Sequence, residues 1–134
     1  MKHLDLLLSD PLTPSLELLV SSNGEKESQK IVLQALVDTG FDDYLCIPKQ
    51  VIEKLNLPLL GQDEVILANG EQYTVDICRG FAYMPELPHL KLEIDIIIGD
   101  DEEALIGTRF LNTLCTKFSI DFKKSLLSLE NLKH

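Results

Sequence analysis

The chain has 134 residues, a mass of 15.1 kDa and a formal net charge of −10 at pH 7. Its length suits one domain with a substantial core, and 45% apolar with 25% charged residues is typical of a globular protein. The negative charge argues against nucleic acid and against anionic membranes as partners, because both attract basic surfaces. We expect one domain over residues 1–134, with residues 1–14 as an additional N-terminal arm.

Cysteine, histidine and acidic residues give no metal-site pattern. Cys46, Cys78 and Cys115 are widely spaced without a Cys-x-x-Cys pair, and the three histidines have no plausible co-ligand nearby in sequence. Residues 100–103 are all acidic but lack the spacing of a calcium loop, so we expect a solvated loop there. The sequence therefore predicts no metal and no cofactor.

The N-terminal apolar patch is too short and too acidic for a secretory signal, and no run of residues is long and apolar enough to span a bilayer. An odd number of cysteines with irregular spacing is typical of reduced, mostly buried thiols. We therefore expect a cytoplasmic protein.

The first half of the chain reads as strands with one short helix. Residues 15–21 predict a strand, and the nearly unbroken apolar run at residues 31–37 predicts a strand that is buried on both faces. Pro48 suits the first position of a helix, and Val51, Ile52 and Leu55 follow at helical spacing.

The second half adds a hairpin, further strands and a second helix. Asn69-Gly70 predicts a two-residue type I′ turn between strands at residues 64–68 and 71–77. A strand through Phe81 and Tyr83 follows, and Thr108 is predicted to cap a helix. The remaining predicted strands alternate apolar with polar residues or close the chain, at residues 90–98, 117–122 and 126–130. These patterns predict an all-β fold with one or two short helices.

One stretch carries the chemistry. Residues 35–40 read Ala-Leu-Val-Asp-Thr-Gly, which places the Asp38 carboxylate where a predicted strand ends. Gly40 allows a tight turn whose amide groups can approach that carboxylate. Asp38-Thr39-Gly40 alone is a weak signal. However, Leu105-Ile106-Gly107 comes later in the chain and leads into the second helix, and the hairpin lies between these two motifs.

This order of motifs resembles the retropepsin-like (retroviral-type) aspartic proteases. The matching stretches are ALVDTGFDD at residues 35–43, the hairpin around Asn69-Gly70, which matches the mobile flap, and ALIGTRFL at residues 104–111. LLGQDEVILANGE and the closing FSIDF strand look especially like small prokaryotic single-domain members. The resemblance covers about residues 15–130, and it implies a retropepsin-like acid-protease barrel that functions as a twofold homodimer.

The resemblance also implies catalytic roles for Asp38, Thr39 and Gly40. Two Asp38 carboxylates, one from each copy, would share a proton and activate the water that hydrolyses a peptide bond. Thr39 would hydrogen-bond the matching loop of the other copy, and Gly40 would present backbone groups to the dyad and the substrate. The implied partners are a peptide or protein substrate and a second copy of the chain.

Asp42, Asp43, Asn69 and Gly70 are the residues that the resemblance implies in substrate binding. Asp42 matches the position that holds substrate backbone in the viral enzymes, whereas an ordinary solvated turn is the alternative for Asp42 and Asp43. Asn69 and Gly70 form the tip of the predicted flap.

Two departures from the viral pattern keep a second function open. Thr108 stands where the viral enzymes have an arginine, and Arg109 comes one residue later. The predicted flap also has a tight tip that is not glycine-rich. The first hypothesis is an aspartic endopeptidase, and the second is a catalytically weak or inactive dimer that binds peptides or proteins. A third is an unrelated β-domain with a coincidental Asp-Thr-Gly, which would leave Asp38 at an open surface.

Overall fold

The computed structural model describes residues 2–22, 29–66, 69–100 and 102–133. Ten strands and two short helices follow one another along the chain, which confirms the all-β prediction. In chain order they are β1 (His3–Leu7), β2 (Ser15–Ser21), β3 (Lys30–Val37), β4 (Leu45–Pro48), α1 (Lys49–Ile52), β5 (Leu59–Ile66), β6 (Gln72–Tyr83), β7 (Leu92–Gly99), β8 (Ala104–Ile106), α2 (Thr108–Leu114), β9 (Lys117–Asp121) and β10 (Leu126–Glu130).

Six of these strands close into a barrel. Their order is β2-β3-β8-β4-β7-β6, and the barrel closes because β2 also pairs with β6 through Leu19↔Tyr83 and Ser21↔Phe81. Short β8 lies between β3, to which it is parallel, and β4, to which it is antiparallel. This arrangement brings the end of β3, where the Asp-Thr-Gly sequence begins, beside the start of α2.

The core lies inside the barrel and under the second helix. Apolar residues alternate along several strands, so β2, β10 and the barrel part of β6 and β7 each bury one face in the core. The buried set includes Leu18, Val20, Ile47, Ile94, Ile96, Ile106, Phe110 and Leu114. Phe110, Leu111 and Leu114 form the buried face of α2.

β3 differs from its prediction. Its alternate residues are exposed at Lys30, Val32 and Gln34, and Val32 keeps 61% of its surface exposed, so the strand is not buried on both faces. The reason is its pairing: residues 30–36 of β3 pair with β2, but β8 reaches only residues 35–37 on the other side. Only Ala35 is fully buried within the strand.

Both helix starts lie one residue away from their predicted positions. Pro48 is the N-cap of α1 instead of its first residue, and Gly107 is the N-cap of α2 instead of Thr108. The Thr108 hydroxyl makes no capping hydrogen bond and donates to Phe41 O at 3.4 Å. A contact distant in sequence therefore decided the role of this side chain.

The hairpin is confirmed, but its turn differs from the prediction. β5 and β6 pair through Ile66↔Gln72, which leaves an odd number of residues between them, whereas a two-residue Asn69-Gly70 turn needs an even number. Gly70 has a φ of +87°, and Asn69 Oδ1 accepts the Glu71 N–H at 2.9 Å. The predicted strand residues 67 and 68 lie outside the described residues. β6 is also one long strand that includes the predicted strand through Phe81 and Tyr83.

A second sheet holds the two chain ends together. β1 pairs with β10 and β10 with β9, all antiparallel. Leu127 and Leu129 are buried on the face of this sheet that meets the core. Residues 3–7 of the predicted N-terminal arm are thus a strand paired within their own chain.

Candidate active site

The backbone of Asp38 is held between two distant parts of the chain. Asp38 N donates to Ile106 O at 2.9 Å, which continues the parallel pairing of β3 with β8 by one residue. Val37 N donates to Pro14 O, also at 2.9 Å. The residue that follows β3 is therefore fixed by the barrel, although the strand itself is partly exposed.

The Asp38 carboxylate is half-buried and closes a tight turn. Its Oδ1 accepts the Gly40 N–H at 2.9 Å, and Phe41 N donates to Asp38 O at 3.1 Å. Within the described part of the chain, no residue donates a hydrogen bond to Oδ2. Such a carboxylate has one oxygen oriented by the backbone and one available for a water, a proton or a second carboxylate.

Residues 38–44, which we call the aspartate loop, are attached to the start of α2. Gly107 N donates to Tyr44 O, and Thr108 N donates to Phe41 O, both at 2.9 Å. A Cβ atom at Gly107 would lie only 2.0 Å from Asp43 O, so no other residue fits there without a backbone shift. This close approach gives a physical reason for the glycine of the Leu105-Ile106-Gly107 element.

Arg109 also contacts the aspartate loop. Its Nε donates to Asp42 O at 3.3 Å and lies 4.0 Å from Asp43 Oδ1, and its guanidinium lies 5.8 Å from the centre of the Tyr44 ring. The arginine that comes one residue late thus reaches the loop through Asp43 and a backbone carbonyl, and it makes no ion pair with the Asp42 carboxylate. More than half of the Arg109 side chain and about a third of the Asp43 side chain are exposed, so each contact stabilises the loop weakly.

An open depression of about 410 Å³, which we call the aspartate cleft, lies beside Asp38 and Thr39. About half of its lining is apolar, from the end of β3, from Leu105 and from the segment before β2. Its carboxylates are those of Asp38 and Glu103. Thr39 and Gly40 are exposed, so the predicted catalytic residues Asp38, Thr39 and Gly40 lie together at an accessible surface.

A second depression, of about 210 Å³, lies between the aspartate loop and the base of the hairpin. Asp43 lines it together with residues 60–63, Ile77 and Asp95. Asp42 is exposed and lines neither depression. Asn69 and Gly70 also line neither, so their predicted contact with substrate depends on movement of the hairpin and stays a prediction.

Glu103 is the cleft residue that the sequence did not indicate. Four consecutive acids suggested only a solvated loop, and Glu103 is indeed exposed. Its position directly before β8 nevertheless brings it into the aspartate cleft. In the sequence, Glu103 is marked only by its position four residues before Gly107. This position indicates the cleft only when β8 is known to pair with β3.

The described residues contain no group of three or more His, Cys, Asp or Glu side chains placed to hold a metal ion. In the same residues, no helix has the length and the apolar character that crossing a membrane requires.

Comparisons with known proteins identify the fold. Neither a scan against protein-family models nor a search of curated proteins found a match. Among solved structures, the chain is similar to a retropepsin-like aspartic protease from Rickettsia conorii, with a TM-score of 0.63 and 20% identity over 95% of this chain and 89% of that one. The protease of simian foamy virus (mac) also matches, with a TM-score of 0.49 and 16% identity over 73% of this chain and 91% of that one. Together with the closed six-stranded barrel, the Rickettsia match confirms the prediction that the chain has a retropepsin-like fold.

Proposed function

We propose that the chain is an aspartic endopeptidase that hydrolyses peptide bonds as a homodimer, with residues 1–134 of each copy forming one protease domain. One observation carries the proposal: Asp38 lies beside an open cleft, its Oδ1 accepts the Gly40 N–H, and no described residue donates a hydrogen bond to its Oδ2. The retropepsin-like fold supports it, because the protein from Rickettsia conorii is itself described as an aspartic protease.

In this proposal, two Asp38 carboxylates meet on the twofold axis. Like charges in contact do not both ionise, so one carboxyl group keeps a proton while the other accepts a proton from the attacking water. The neutral carboxyl group then donates its proton to the substrate carbonyl oxygen. The Gly40 amide fixes the orientation of each carboxylate before the substrate binds, which lowers the reorganisation that the reaction requires.

The apolar rim of the cleft supports a second copy. Leu12 lines the aspartate cleft, yet 79% of its surface is exposed. Leu7 and Phe122 are also large apolar side chains with most of their surface exposed. A partner that covers such residues gains apolar burial. We propose that this partner is another copy, with Thr39 reaching across the axis.

We further propose that Asp42 and Asp43 hold the substrate backbone and that Asn69 and Gly70 close over it as a flap. The base of the hairpin supports this assignment, because it shares a depression with Asp43. A cytoplasmic location is also a proposal, supported by three cysteines that form no disulfide.

Digestion of a peptide library tests the activity. Wild type should cleave, whereas Asp38→Asn should lose at least about a thousandfold in rate while it keeps its fold, because the asparagine oxygen can still accept the Gly40 N–H. Asp121→Asn is the matched control, since Asp121 also accepts a backbone N–H, from Lys124, but does not line the cleft. Equal cleavage by wild type and Asp38→Asn would overturn the catalytic assignment.

The same experiment separates the second hypothesis. Wild type and Asp38→Asn that both bind peptides, without cleavage by either, would favour a retropepsin-fold binding module over an enzyme. Scattering in solution complements the digestion, because a monomer at concentrations at which peptides are cleaved would contradict the shared dyad.

A further inference from the structure

We propose that the aspartate cleft selects peptides with lysine or arginine beside the cleaved bond, and that Glu103 recognises this cationic side chain. The inference rests on the proposed function, because it assigns the substrate class of the same cleft. It concerns a residue that forms no part of the Asp-Thr-Gly sequence.

The register of the barrel places Glu103 at a useful distance from Asp38. Parallel pairing of Ala35 with Ala104 and of Val37 with Ile106 sets Glu103 level with Gln34, four residues before Asp38. At a strand rise of about 3.3 Å per residue, the two backbone positions lie roughly 13 Å apart along the strands. A long side chain from a peptide bound over Asp38 can bridge this span, whereas a short one cannot.

The lining of the cleft suits the two parts of a cationic side chain. Leu36, Val37 and Leu105 offer apolar surface to the methylene stem, and the Glu103 carboxylate offers a partner for the charged head. Glu103 is exposed, and it has no hydrogen bond or ion pair with any other described residue. No lysine or arginine of the described residues lines the cleft. The carboxylate is therefore available to a ligand.

The charge of the chain favours the same class of ligand. The second depression, at the base of the hairpin, carries Asp43, Asp63 and Asp95. Arg109 lies near Asp43 and Arg79 pairs with Asp95, while Asp63 Oδ1 accepts only the Glu64 N–H among the described residues. With a net charge of −10, the chain attracts cationic peptides and repels acidic ones before contact.

A binding experiment tests the inference independently of turnover. Labelled peptides that differ only at one position, lysine against norleucine, share the same stem and differ in charge. Binding is measured by fluorescence anisotropy to Asp38→Asn, which does not consume the peptide, with and without Glu103→Gln. The lysine peptide should bind more tightly, and Glu103→Gln should reduce that preference by roughly two- to fivefold, as for a partly exposed ion pair. High salt should reduce it further.

Glu102→Gln is the matched control. It removes the same charge from the adjacent residue, which is exposed and does not line the cleft. It should leave the lysine preference intact, and a loss equal to that of Glu103→Gln would show that general charge, not Glu103, is responsible.

Cleavage by wild type with the same peptides separates this inference from the proposed function. Cleavage that depends on Asp38 but shows no lysine preference, together with equal binding of both peptides, would overturn the inference and keep the enzyme. Lysine-selective binding that Glu103→Gln removes, without cleavage by wild type, would keep the recognition of the cationic side chain by Glu103 and overturn the enzyme.

Discussion

The aspartate loop and the outer hairpin differ in how firmly the rest of the chain holds them. The loop is attached to the rest of the chain by backbone hydrogen bonds from Gly107 and Thr108, and by Asp38 N to β8. The outer hairpin, which we define as residues 62–66 and 72–75, is a ribbon of two strands only, because β7 first pairs with β6 at Asp76.

This difference matches what a covered active site needs. A reactive carboxylate works best in one orientation, which requires many distant contacts. A cover must open to admit a substrate, which requires few contacts. Gly107 and Tyr73 illustrate the contrast, since Gly107 is buried against the loop backbone whereas Tyr73 on the ribbon remains 44% exposed.

Gly107→Ala should have the largest effect, because it disturbs the attachment of the aspartate loop to the start of α2. The new methyl group would lie 2.0 Å from Asp43 O, so we expect a loss of about 3 kcal/mol in the free energy of unfolding. Urea denaturation measures it. Gly40→Ala is the control, because its Cβ would meet Asp38 Oδ1 at 3.3 Å and cost much less. Equal losses would show that the contact at Gly107 does not hold the loop.

The pH profile tests whether the rigid loop presents a shared-proton pair. Activity should rise as the pH falls below neutral and then decline, because the pair must hold one proton. We expect at least about a tenfold difference in kcat/KM between the optimum and pH 8. A rate that stays flat from pH 4 to pH 8 would contradict the dyad.

Hydrogen exchange compares the two regions directly. Amides at residues 73–75 should exchange at least about tenfold faster than those at residues 78–82, although both belong to β6. The first group lies on the ribbon and the second pairs with β7 within the barrel. β3, at residues 31–37, provides a second reference strand. Ribbon protection equal to that of β3 would exclude a mobile flap.

Cys78 lies on β6 near the point where the ribbon joins the barrel. Burial, with a smaller contribution from Asp95, raises the pKa of the Cys78 thiol to about 11 from an ordinary value of 9.0. The unfolded chain therefore loses this proton first, and the free energy of unfolding should fall as the pH rises from about 9 to 11. Allowing for partial screening, we expect about 1 kcal/mol at pH 10.

The Cys78→Ala variant isolates this effect. It should lose less stability than wild type over the same pH range, measured by urea denaturation under reducing conditions. Cys46→Ala retains Cys78 and should show the full decrease. Identical pH dependence in all three proteins would mean that the thiol is not buried in the folded state.

Arg109→Ala should have the smallest effect. It removes the hydrogen bond to Asp42 O and the contacts with Asp43 and Tyr44, all at an exposed surface, so we expect about 0.5–1 kcal/mol. Arg79→Ala, which removes a similarly exposed ion pair with Asp95 but no hydrogen bond to the loop backbone, provides the reference. If Arg109→Ala lowered the free energy of unfolding more than Gly107→Ala does, the Arg109 contacts would hold the aspartate loop more strongly than the backbone contact at Gly107.

The amino-acid pattern alone predicted most of the strands, the two short helices and the Asp-Thr-Gly turn, because alternation and turn residues are local properties of the chain. It did not predict β1, β4 and β8 as strands. It placed β2 at residues 15–21 as observed, and it indicated the hairpin. It also identified Asp38, whose turn needs only the neighbouring Gly40 amide. These features depend on contacts between residues close in sequence.

Tertiary structure decided the features that depend on distant neighbours. Burial of β3 depends on how far β8 extends beside it, the role of Thr108 depends on Phe41, and the hairpin loop depends on the β5–β6 register. Glu103 enters the aspartate cleft only because β8 lies parallel to β3. The sequence pattern records which residues are apolar or turn-forming, whereas pairing between strands determines which side chains share a cleft.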